Sequence, residues 1–185
     1  MGYWITFVHP EPGLSALQTL EWQNAQYEHD TLDLDSPPPQ IALTDEQLAG
    51  WERICERMAV LAGEVDREDY PDHLGIASDH PRIRLEYVGD SASIQIPYWY
   101  DGESAVQALA LAYAVGRIVE DETELVGVDS QTGAGLGGGT DAAVELYVAT
   151  RLNAVSAIAE RDRQPDADRQ TIRERWTRLR ARRGR

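Results

Sequence analysis

Apolar and polar positions along this 185-residue chain change period several times, and each period predicts an element. Tyr3 to Val8 is an aromatic and β-branched run stopped by His9-Pro10-Glu11-Pro12-Gly13, which reads as a strand. Ser15 stands where an N-cap belongs, ahead of a helix over Ala16 to His29 carried by Leu17, Leu20 and Trp22. A loop follows from Asp30 to Gln40, where Pro37-Pro38-Pro39 lack backbone donors and favour an extended path. Thr44 and Gln47 have capping-box spacing before Leu48, Trp51, Ile54, Cys55, Met58 and Leu61, which recur at helical intervals up to Gly63.

Strict alternation comes next. Ile83, Leu85 and Tyr87 alternate with Arg82, Arg84 and Glu86; after Gly89-Asp90, Ile94 and Ile96 alternate with Ser93 and Gln95, which predicts a hairpin with one wet face. Leu74 to Ala77 offers a further strand, and Leu125 to Val128 a short one. Between them Asp101 is placed to cap a helix over Gly102 to Glu122, surrounded by Val106, Leu109, Leu111, Tyr113, Val115, Ile118 and Val119. Ser130 to Gly139 is a glycine-rich loop, after which Thr140 leads a helix with the stripe Val144, Val148, Leu152, Val155 and Ala159. The expected fold is α+β, a mainly antiparallel sheet of four to five strands covered by helices on one face.

Charge divides the chain into a single acidic domain over residues 1–160 and a basic tail over 161–185. All 17 basic residues are Arg. Ten of them lie in the tail beside four acids, a net +6, which leaves seven Arg against 28 acids, a net −21, in the body. An acidic body is a poor binder of phosphate backbones and a natural binder of basic proteins, and only the tail suits nucleic acid. Past Pro165 the tail has helix-forming composition with Ile172, Trp176 and Leu179 on one face, a narrow stripe suited to docking on the body or on a second copy. No basic leader with an apolar stretch and no membrane-length apolar window occurs, so a cytoplasmic protein with no membrane association is expected.

Candidate chemistries are few. Gly133 to Gly138 carries G-x-G-x-x-G spacing, but an Arg-rich helix stands where a dinucleotide-binding unit needs a parallel strand. Read as a P-loop, the same segment has Gly139 in place of the phosphate-binding Lys. A flexible loop leading into the helix is the preferred reading, and no cofactor is expected. Asp69, Asp72, His73, Asp79 and His80 form a conceivable metal set, set aside in favour of solvated loops. Cys55 lies on an apolar helix face and reads as an inert core thiol.

The segment from Ile94 to Ala105 is the most suggestive of recognition. Tyr98, Trp99 and Tyr100 beside Asp101 and Glu103, at a strand-to-helix turn, make a surface for Arg or Lys through cation–π contact and charge pairing. The bland reading packs Tyr98 and Tyr100 between sheet and helix and leaves Trp99 as the one to face away.

Ile96-Pro97-Tyr98-Trp99, Gly102-Glu103-Ser104-Ala105 and Asp129-Ser130-Gln131-Thr132-Gly133 together resemble a group of small acidic bacterial proteins similar to immunity proteins of toxin systems. The likeness covers about Leu43 to Gly133, with Ser130 where the group has Pro and Ser104 where it has Ala. It implies a toxin-neutralising interaction protein and supplies no catalytic residues. The leading expectation is therefore a non-enzymatic module that binds a basic toxin enzyme through Tyr98, Trp99, Tyr100, Asp101 and Glu103. The alternatives are a small ligand-binding enzyme using Gly133 to Thr140 and a nucleic-acid-associated regulator using the tail; a homo-oligomer stays open.

Overall fold

The computed structural model describes residues 2–27 and 40–163. In chain order they form β1 (Gly2–Val8), α1 (Ala16–Tyr27), α2 (Asp45–Ala62), β2 (Val65–Asp69), β3 (Leu74–Asp79), β4 (Arg82–Tyr87), β5 (Ser91–Pro97), α3 (Gly102–Glu122), β6 (Val126–Asp129), β7 (Ala134–Gly135), a 3-10 turn (Leu136–Gly138) and α4 (Asp141–Arg163). The strands make one sheet in the order β2-β3-β4-β5-β1-β6-β7, and every adjacent pair is antiparallel. The α+β expectation holds, with seven strands rather than four or five. Both extra strands are edges. β2 reads Val-Asp-Arg-Glu-Asp, a charged edge that discourages pairing with other chains, and β7 has two residues.

The chain divides into two compact units, Met1–Val148 and Ala149–Arg185. Of the second, residues 149–163 are described and are helical. The docking stripe expected at Ile172, Trp176 and Leu179 lies outside the described residues.

Register explains the core. Pairing Tyr3 with Ile96, Ile5 with Ile94, and Leu85 with both Ile94 and Ile76 sends these side chains to one face, because successive residues of a strand point to opposite sides. That face buries Phe7, Ile83 and Tyr87 as well, and it packs with Trp51, Ile54 and Met58 of α2 and with Ala105, Ala108, Leu109 and Ala112 of α3. Each helix start has a local cause. Thr44 and Gln47 form the reciprocal capping box, Gln47 N–H to Thr44 Oγ1 at 3.2 Å and Thr44 N–H to Gln47 Oε1 at 2.9 Å, and Gly63 with φ 83° ends α2. Ser15 and Gln18 do the same for α1.

Coverage by helices is two-sided. α2 and α3 share the core face, but Ala16, Leu17 and Leu20 of α1 cluster with Val8 and Val128, whose register places them on the reverse side. In the part of α4 up to Val148, Ala143 and Tyr147 are buried and the expected Val144 and Val148 pack against the core beside them.

The glycine-rich segment is built, not slack. Leu136 is 2% exposed and fills the space left by two glycines: a Cβ on Gly116 would stand 2.6 Å from Leu136 Cδ1, and one on Gly127 would stand 2.7 Å from it and 2.8 Å from Phe7 Cε1. The loop expected to be flexible is instead a short strand and a 3-10 turn pinned by one leucine.

Candidate functional site

The turn between β5 and α3 separates the five residues expected to bind a partner. Tyr98 is partly buried, edge-on to Tyr3 with ring centroids 6.4 Å apart and tilted against Tyr147 at 5.1 Å. The Tyr147 hydroxyl donates to the Pro97 carbonyl and accepts the Tyr100 N–H at 3.3 Å, so the turn is tied down from α4. Tyr100 in turn accepts the Arg82 N–H on its own hydroxyl, which fixes it to the start of β4. Both tyrosines thus serve packing. Trp99 is 59% exposed, with Tyr100 edge-on to it at 6.1 Å.

Asp101 and Glu103 stand on the same surface. Asp101 has extended backbone (φ −141°, ψ 164°) immediately before α3, and the Ser104 hydroxyl accepts its N–H at 3.1 Å and donates to its carbonyl at 2.7 Å. Both carboxylate-bearing residues are exposed, Asp101 at the cap and Glu103 in the first turn, where the helix dipole favours negative charge. An exposed indole beside two carboxylates attracts guanidinium or ammonium groups by both π and Coulomb terms.

A second functional-looking carboxylate is structural, and sequence reasoning passed over it. Asp129 ends β6 fully buried, its Oδ2 accepting from the hydroxyls of Tyr3 and Tyr113 and its Oδ1 from the N–H groups of Gln131 (2.9 Å) and Thr132 (3.2 Å). Burial first, and then the bond to Asp129, hold both phenols well above the ordinary tyrosine range. Four donors occupy the carboxylate, so it locks the sheet to α3. The signal was an Asp at the start of the turn Asp129-Ser130-Gln131-Thr132-Gly133, where its side chain can accept the N–H two residues on, as in an Asx turn.

The residues weighed as a metal set are parted by the length of β3. Asp69, Asp72 and His73 flank its start, and Asp79 and His80 stand at its end. His73 Nδ1 meets Asp72 at 3.0 Å and its ring stacks on Tyr70 at 4.5 Å. Arg84 lies over Tyr70 and contacts Glu68 at 3.0 Å; its Nε is 3.2 Å from Glu86 without the alignment of a hydrogen bond. These charges answer one another across β2, β3 and β4 on the face away from the core. Among the described residues no group of three His, Cys, Asp or Glu side chains is placed to hold a metal ion. Burial pushes the Cys55 thiol up to about 11, which keeps it protonated and unreactive. No helix among the described residues is long and apolar enough to cross a membrane.

Compared with protein-family models, curated proteins and solved structures, the chain matches none.

Proposed function

We propose that this chain is a cytoplasmic protein-binding module of the immunity type, which neutralises a basic toxin enzyme by covering its active site. The observation that carries the reading is Trp99, exposed beside Asp101 and Glu103 on a turn made rigid by Tyr98, Tyr100 and Tyr147. A rigid aromatic anchor ringed by charge is the composition of an interface hot spot, and little conformational entropy is lost when it is covered. The acidic body, at −21, steers a cationic partner toward it over the range of the Debye length.

The alternative that uses the Arg-rich tail falls on residues beyond 163, outside the described residues. In the glycine-rich segment Gly135 pairs with Val128 of β6, and Leu136 is seated against Gly116 and Gly127. The test is coexpression with a basic toxin polypeptide, sought first in the reading frames next to this gene. The reading expects a stoichiometric complex and relief of that polypeptide's toxicity; growth arrest despite ample immunity-module expression, with the two proteins eluting separately, overturns it.

A further inference from the structure

α2 and α3 pack against each other over the sheet, and the outer side of their junction is apolar where water should meet polar groups. From Ala108 to Gly116, α3 carries no polar residue except Tyr113, which is buried. A helix apolar on every side is ordinarily covered on every side. Here Ala110 is exposed, Val106 is 45% exposed, and Leu111 and Ala114 are half-buried. On α2, Val60 is 89% exposed and Leu61 47%. Between the two helices runs a groove of about 620 Å³, lined by Glu56, Arg57, Val60, Leu61, Ala114 and Ile118. Contiguous apolar surface of this kind marks a contact with another molecule.

Charge narrows what covers it. Residues 1–160 carry −21, yet at this junction Arg53, Arg57 and Arg117 stand against Glu56, Asp121 and Glu122. The acidic field that draws basic proteins elsewhere is cancelled here, so this is a face on which a second acidic chain can approach without repulsion. Arg57 is held by Asp121 at 2.9 Å and by Glu122 at 2.7 Å, and Arg53 also binds Glu122. Glu56 and Arg117 are left over: both are exposed, and neither has an ion pair among the described residues. Glu56 lines the groove from α2, and Arg117 follows Ala114 by one turn on α3. An unanswered carboxylate and an unanswered guanidinium on opposite helices, with apolar surface between, form a self-complementary set. In a two-fold contact, whatever one position offers another is offered back.

We propose that this face joins two copies of the chain in an isologous contact. Val60 and Leu61 of each copy cover the apolar side of the other's α3, and Glu56 of each meets Arg117 of the other. α2 has 18 residues, about 27 Å of helix, and with α3 beside it the face has a footprint of about 600 Å² before side-chain relief is counted. That is on the scale of the roughly 800 Å² that each partner of a stable complex buries. Ala114 lies about 18 Å along α3 from its first residue, so the contact stands apart from the Trp99 turn.

Sedimentation equilibrium of the full chain at physiological salt tests the contact. A monomer–dimer equilibrium with a Kd of about 10 μM is expected, with no larger species, since an isologous contact closes at two. Val60→Gln, at a position so exposed that circular dichroism should match the native chain, should weaken the dimer about tenfold or more. Glu56→Arg and Arg117→Glu should each weaken it about tenfold by setting like charges opposite, and the two together should restore most of the native Kd. Trp99→Ala should leave the dimer unchanged, so this contact and the partner surface are judged separately. A chain that stays monomeric up to about 1 mM overturns the proposal and passes the groove to a partner of another kind. Species beyond the dimer, a dimer indifferent to Val60→Gln, or a double charge variant no tighter than the single ones overturns it equally.

Discussion

Tyr113, midway along α3, donates its hydroxyl to Oδ2 of Asp129, the last residue of β6, at 2.5 Å in a site closed to solvent. With Tyr3 of β1 on the same oxygen, one carboxylate joins β1, its neighbour β6 and the helix that packs across them. Asp129→Asn preserves the volume but removes the charge that both phenols bond to. A loss of about 3 kcal/mol of unfolding free energy is expected, read from urea denaturation, since hydrogen bonds to a buried charge are among the stronger ones.

The same pair makes stability fall in alkali. Folding raises the ionisation of Tyr3 and Tyr113 above the unfolded value of 10.0, so the folded chain holds two protons that the unfolded chain releases first. Their contribution is complete below about pH 10 and declines as pH rises beyond it toward the folded values. Urea midpoints measured from neutral pH to pH 11 should drop for the native chain and drop less steeply for Tyr3→Phe/Tyr113→Phe, although that variant starts lower.

Much of the fold was legible because periodicity and capping agreed with tertiary packing. Thr44 to Gly63 carries its cap, stripe and stop in order, and the hairpin from Arg82 to Pro97 alternates without error. β2 was illegible for a physical reason: it lies at the sheet's rim, where its helix-side residue Arg67 forms a two-bond pair with Glu52, at 2.9 and 2.7 Å, in place of an apolar contact. The glycine run concealed its purpose because Leu136 reaches Gly116 and Gly127, contacts that no local pattern encodes. At the candidate site, proportions of aromatic and acid were visible in the sequence, but the exposure of Trp99 and the anchoring of Tyr100 depend on Tyr147 and Arg82, distant in the chain.

Gly127→Ala should destabilise the domain by about 2 kcal/mol through overpacking against Leu136 and Phe7. Leu136→Ala alone leaves a cavity and costs about 3 kcal/mol. In the double variant the added methyl enters space the leucine vacated, so the combined loss should be smaller than the sum by about 1 kcal/mol. Strict additivity in thermal or urea unfolding would show that the two glycines are not the seat of that leucine.

The segment Gly133 to Thr140 should bind no nucleotide. Calorimetric titration with ATP or NAD is expected to be flat, because the chain carries no Lys and its acidic body repels phosphate. Micromolar binding that disappears on Gly135→Val would promote an enzyme reading over a binding module.

The central claim rests on the turn before α3, and the affinity of the folded variant Trp99→Ala/Asp101→Asn/Glu103→Gln for its basic partner tests it most directly. All three residues are exposed, so circular dichroism and melting should match the native chain. Calorimetry should show binding weaker by at least about 2 kcal/mol, the usual size of a hot-spot loss. An unchanged affinity in the folded variant would contradict the account and remove this surface from it.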